Sequence, residues 1–146
     1  MKLSAALAGL VALSLLAGCS SAPAYIGTWT GKSSMAGADS DIELTFDAAG
    51  KMTQVTSVSA QGQAMKLKTN ASYKAEGEKM SVTINSIEIL EAPAQFKEIM
   101  EKSTEGSKGQ TVSVPFKVEG DTLSYGPVEG ANIPGGGAAM SFTRKK

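Results

Sequence analysis

The chain has 146 residues, with 14 basic and 14 acidic side chains, one Cys and no His. Balanced charge argues against nucleic acid as a partner, because phosphate binding needs a basic excess. Without His the chain lacks the commonest zinc and copper ligand and the commonest general base. A single Cys leaves no pair for a disulfide, so packing alone must hold the fold.

In chain order, a short charged start (Met1, Lys2) precedes an apolar run from Leu3 to Ala17, and small residues crowd its exit at Leu16-Ala17-Gly18-Cys19. A secretory signal has this layout. A membrane-spanning helix needs about 20 apolar residues, more than this run supplies. The Leu-Ala-Gly-Cys tetrad resembles the lipobox of bacterial lipoproteins. The resemblance implies a signal peptide over residues 1–18, cleavage before Cys19 and a covalent diacylglycerol on Cys19. Residues 19–24 then form a lipidated tether and residues 25–146 the folded domain. Loss of Lys2 leaves 13 basic against 14 acidic side chains. Two or more acyl chains anchor stably, each buried methylene contributing about 0.8 kcal/mol. Ser20 follows the Cys, and in Gram-negative lipoproteins a residue other than Asp there goes with outer-membrane sorting. The expected location is therefore exported and membrane-anchored: on the outer membrane facing the periplasm in a Gram-negative cell, otherwise on the outer face of the cell membrane.

Beyond the tether the pattern has period two. Ile42, Leu44 and Phe46 alternate with Asp41, Glu43, Thr45 and Asp47 before a turn at Ala48-Ala49-Gly50. Met65, Leu67, Thr69, Ala71, Tyr73 and Ala75 alternate with polar residues, as do Met80, Val82 and Ile84, and Val112, Val114, Phe116 and Val118. One apolar and one polar face mark antiparallel strands covered on one side. The phase breaks near Asn85-Ser86, after which Ile87 and Ile89 carry the apolar side, so a bulge is expected there. Tyr73 to Ser81 and Phe116 to Ser124 echo each other: an aromatic residue, a turn with Gly and an acid, then an apolar residue. Such repetition is hairpin chemistry. The reading places strands near residues 27–33, 41–47, 51–59, 63–75, 79–90, 111–119, 122–126 and 138–144, about eight in all. Consecutive hairpins make an up-and-down meander, which closes to hide its edges. One short helix is expected near residues 93–103, with Pro93 at its first position. Phe96, Ile99 and Met100 form its apolar stripe, which should pack on the sheet or cover a barrel opening.

Gly27-Thr28-Trp29, at the start of the first strand, resembles the Gly-x-Trp signature of lipocalins and their calycin relatives. In that family the Trp closes one end of the barrel and an Arg near the last strand lies over it. Arg144 stands in the matching place, on one strand face with Met140 and Phe142. The resemblance implies a lipocalin-like β-barrel with Gly27, Trp29 and Arg144 as its closing structure. The family's second motif, Thr-Asp-Tyr, is absent, and the helix falls between strands rather than after the last one.

The inward positions define a candidate apolar site: Leu44, Met52, Met65, Leu67, Met80, Ile84, Val114, Phe116 and Met140. Met adapts to irregular apolar shapes, and an eight-stranded barrel either fills with side chains or holds one small ligand. Asp39, Asp41 and Glu43 share one face, but their spacing does not make an EF-hand loop, and a solvated outer face is the expected role. Gly135-Gly136-Gly137 belongs to a long hairpin loop with no phosphate-binding motif after it. Lys66, Lys68 and Lys74 form a basic outer stripe. No Gly-x-Ser-x-Gly, His or free thiol offers catalysis, so the chain reads as a non-enzyme without cofactor or metal, its covalent lipid aside. Two functions follow. One is a membrane-anchored barrel that binds a small apolar or lipid-like ligand. The other is an envelope interaction protein, a protein-binding scaffold or protease inhibitor with a filled core and an exposed apolar patch around Phe96, Ile99, Met100 and Ile133.

Overall fold

A computed structural model describes residues 22–35, 37–127 and 139–146. The expected signal peptide (residues 1–18), Cys19, Ile133 and the Gly135–Gly137 run lie outside the described residues. Eight strands form a closed, all-antiparallel barrel in sequence order: β1 (Gly27–Met35), β2 (Ala38–Phe46), β3 (Lys51–Ala60), β4 (Gln63–Glu76), β5 (Lys79–Glu91), β6 (Thr111–Glu119), β7 (Thr122–Tyr125) and β8 (Met140–Arg144). One helix, α1 (Ala94–Glu105), lies between β5 and β6. This is the meander expected from the alternation, and its architecture is compatible with a lipocalin-like barrel.

Local chemistry explains the turns at one end. Asp47 accepts from the amides of Ala49 (2.9 Å) and Lys51 (2.8 Å), and Gly50 takes a positive φ of 80° that closes the β2–β3 hairpin. Such an Asx turn needs a short acceptor followed by a residue free of the Cβ restriction.

The expected bulge is present. The β4–β5 register slips where Ala71 faces Ile84 but Asn70 faces Ser86, leaving Asn85 as the extra residue. Ile87 and Ile89 thereby return to the face that carries Met80 and Val82. A second slip, between Lys66↔Glu91 and Leu67↔Ile89, makes Leu90 another extra residue and leaves it 51% exposed.

The strands differ in length, and this shapes the molecule. β1 pairs with β8 only at Trp29↔Arg144 and Thr30↔Thr143, and β5 pairs with β6 only from Lys79 to Thr83, with Ile84 adding bonds to Gly109 and Gln110. β1 to β5 therefore rise beyond the other three strands as a taller wall. The lower half is a closed barrel. In the upper half, among the described residues, no strand joins the β1 edge to the β5 edge.

The helix departs from expectation. Pro93 is its N-cap, not its first turn, and among the described residues α1 packs chiefly against β5. It buries no residue, and its stripe stays open, Phe96 being 41% and Ile99 67% exposed. Only Ala92 and Pro93 separate β5 from α1. The extended Pro93 (φ −58°, ψ 139°) therefore starts the helix close to the end of β5 and against that strand.

Candidate functional site: a filled lower end and a lined upper wall

At the closed end, Trp29 is fully buried and its indole N–H donates to the Tyr25 carbonyl at 2.9 Å. The Arg144 guanidinium lies 4.1 Å above the indole ring. It donates through Nη1 to the Ile26 carbonyl at 3.0 Å and through Nη2 to the Ala24 carbonyl. Its Nε also faces Asp121 at 3.6 Å. A planar fork both stacks and donates in this way, and a Lys ammonium does not. The clamp draws the entering chain across the barrel floor, so Ala24 already belongs to the folded unit.

Tyr25 completes the floor. Its ring meets Phe46 (6.4 Å), Tyr73 (5.9 Å) and Phe116 (5.5 Å) edge to face. Edge-to-face pairing sets the positive rim of one ring against the negative face of another. Gly27, with φ at 127°, sits 3.1 Å (measured from where its Cβ would be) from Arg144 Nη1, so a side chain there would press on the clamp. Burial raises the Tyr73 hydroxyl pKa to about 12, aided by Tyr25 and Asp47. Burial holds that of Tyr125 well above the usual tyrosine range. The Tyr73 hydroxyl donates to the Asp47 carbonyl, and that of Tyr125 lies 3.8 Å from the Met52 sulfur.

The interior divides at this point. Leu44, Met52, Met80 and Val114 are 0–3% exposed and packed with Trp29, Phe46, Ala71, Val82, Leu123 and Phe142. They form a filled core rather than a lining. Phe116, half-buried, belongs to the Tyr25 floor, and Met140, also half-buried, faces Tyr125 across the β7–β8 pair at the top of the short strands.

Met65, Leu67 and Ile84 lie higher and remain half-buried. Register places them on one sheet face with Ile42, Val58, Ile87 and Ile89, which are half-buried too. Ser33, Ser40, Gln54 and Thr56 complete that face on β1 to β3. The upper wall is thus largely aliphatic from β2 to β5, with polar positions at Ser33, Ser40, Gln54 and Thr56 on β1 to β3 and at Thr69 on β4. The predicted site residues separate into a core group below and a wall group above. Ile42, Ile87 and Ile89 join the wall group; the same alternation carried their signal.

The opposite sheet face holds a groove of about 780 Å³, lined by Thr30, Lys32, Asp41, Glu43, Val55, Ser57, Lys66, Leu90, Ser141 and Thr143 among others. Its charges are largely paired, Lys32 with Asp41 at 3.3 Å and Glu43 with Lys145 at 2.7 Å. Exposed pairs of this kind contribute roughly 0–1 kcal/mol each. The lining is mixed, its charged side chains standing beside Val55 and Leu90, and the groove also touches Gly31 and Ile42, so it shares Ile42 with the aliphatic wall. Asp39, the third acid of the outer face, accepts from Ser34 at 2.6 Å. Among the described residues no group of three potential ligands is placed to hold a metal ion. Lys74 pairs with Glu76, which leaves Lys66 and Lys68 to carry the outer basic stripe. Compared with protein-family models and with curated proteins, the chain matches none.

Proposed function

We propose that this is an exported lipoprotein, anchored through a lipid on Cys19, whose barrel binds a small apolar or lipid-like ligand against the upper wall. The observation that carries the reading is the divided interior. The core of the lower half, from Trp29 to Phe142, is packed to 0–3% exposure, whereas the aliphatic side chains of the upper half keep access to solvent. An aliphatic surface left uncovered inside a fold loses roughly 25 cal/mol per Å² relative to burial, a loss that a bound apolar molecule reverses. The polar positions on this face, Ser33, Ser40, Thr56 and Thr69, would then meet the ligand's polar end, as in sites that combine apolar walls with a few polar groups. No catalytic step, cofactor or metal is part of this reading.

The test is binding of a fluorescent fatty acid to the protein and to two charge variants. Ile87→Asp, on the wall, should abolish binding, and Val55→Asp, on the outer face, should leave it unchanged. Equal binding by both variants would place the ligand elsewhere.

The exposed Leu90, Phe96 and Ile99 favour the second reading, an envelope interaction protein with these residues as its contact. Replacing all three by Ser should spare fatty-acid binding and abolish capture of any protein partner.

A further inference from the structure

The entering chain and the upper wall lie at opposite ends of the barrel. Arg144 ties the carbonyls of Ala24 and Ile26 to the closed end, and Tyr25 is wedged among Phe46, Tyr73 and Phe116 there. The turns at residues 47–50, 77–78 and 120–121 share that end, while the β3–β4 turn at Gln61-Gly62 and the start of α1 belong to the other.

Two lengths decide how such a body stands on a membrane. From Cys19 to Ala24 the chain spans at most about 18 Å when fully extended. Along β4, Ala75 near the floor and Gln63 at the top are about 40 Å apart at strand rise, which is about 30 Å of height at ordinary barrel tilt. Turning the open half onto the bilayer would hold the closed end about 30 Å above it, beyond the reach of the tether.

We infer that the barrel stands on its closed end, with the aliphatic wall directed away from the bilayer that anchors it. The ligand is then exchanged with a donor or acceptor across the aqueous compartment and is not drawn from the anchoring leaflet. This rests on the proposed lipid at Cys19 and on the proposed apolar site.

The full lipidated protein in phosphatidylcholine vesicles tests it. Lipidation occupies the native thiol, so one introduced Cys carries a bimane label: Ala49→Cys at the closed end or Gln63→Cys at the open end. Both positions are exposed. Glu78→Cys and Ala64→Cys repeat the two ends should either first variant fail to fold. With headgroup spin-labelled lipid in the vesicles, labels at 49 and 78 should lose most of their emission, and labels at 63 and 64 should keep nearly all of it. Equal quenching at both ends, or stronger quenching at 63 and 64, would overturn the orientation while leaving the anchor intact. Protein that does not float with the vesicles would overturn the anchor itself, and the orientation with it. For the exchange step, a fluorescent fatty acid is supplied either in the anchoring vesicles or on separate albumin. Faster loading from albumin is expected, and faster loading from the anchoring vesicles would contradict the inference.

Discussion

Gly31 is where the short and tall halves of the barrel meet, and replacing it with Ala probes that junction. A Cβ built there lies 2.6 and 2.8 Å from two ring carbons of Phe142 and 3.1 Å from the Ser141 carbonyl. Carbon atoms settle at about 3.5–4.0 Å, so the ring would have to retreat by roughly 1 Å. It has nowhere to go: Phe142 is 2% exposed, and its ring meets Tyr125 at 6.4 Å and 82°. Forcing one methyl into a packed core costs roughly 1–3 kcal/mol. The stiffer unfolded chain returns about 0.4–1 kcal/mol of that. Gly31→Ala should therefore lose about 1–2 kcal/mol in urea unfolding at unchanged slope, or about 4–10 °C in Tm for a domain of this size. In a Phe142→Leu background the extra cost of Gly31→Ala should fall below about 0.5 kcal/mol, because the clashing ring edge is gone. A Gly31→Ala protein as stable as the parent would refute the packing of β8 over β1.

Other predictions address the floor, the wall and pH. Arg144→Ala removes the stacked cation and two donated hydrogen bonds and should cost about 2–3 kcal/mol, with a red shift of the Trp29 emission. Arg144→Lys should recover less than half of that, because an ammonium lacks the fork. Met80→Ala, in the filled core, should cost about 2–5 kcal/mol, whereas Ile87→Ala on the upper wall should cost less than about 1 kcal/mol; urea midpoints compare them directly. Burial keeps the folded Tyr73 hydroxyl protonated up to about pH 12, while the unfolded chain ionises it near its ordinary pKa of 10.0. The folded state thus holds the proton longer, so stability should be full below pH 10 and fall as pH rises toward 12, and Tyr73→Phe should flatten that fall in alkaline melts.

Most strands were legible because they alternate strictly enough to assign a face, Met52 to Val58 alternating poorly, and the break at Asn85 showed as a change of phase. Trp29 and Arg144 were legible as a motif, and the structure stacks them. The division of the interior was not. Alternation tells which side chains point inward but not how far neighbouring strands rise. Leu44 and Leu67 look alike in the sequence, yet only Leu44 stands at a height where β6, β7 and β8 close the barrel. The second bulge, at Leu90, was hidden because Ile87, Ile89 and Leu90 read as a continuous apolar ending. The helix was found within two residues, but its stripe at Phe96 and Ile99 promised burial that its short connection to β5 does not deliver. Ser34, which binds Asp39, had no signal, since a hydroxyl opposite a carboxylate across a hairpin is visible only once the register is known.

Residues 20–146, exported without Cys19 and weighed in the native and the denatured state, decide whether the barrel carries a ligand. The native species should be heavier than the bare chain, shed an apolar molecule on denaturation and bind it again on refolding. A chain with the same mass in both states, and no uptake of added fatty acid, would contradict ligand binding and leave the upper wall as a surface for another protein.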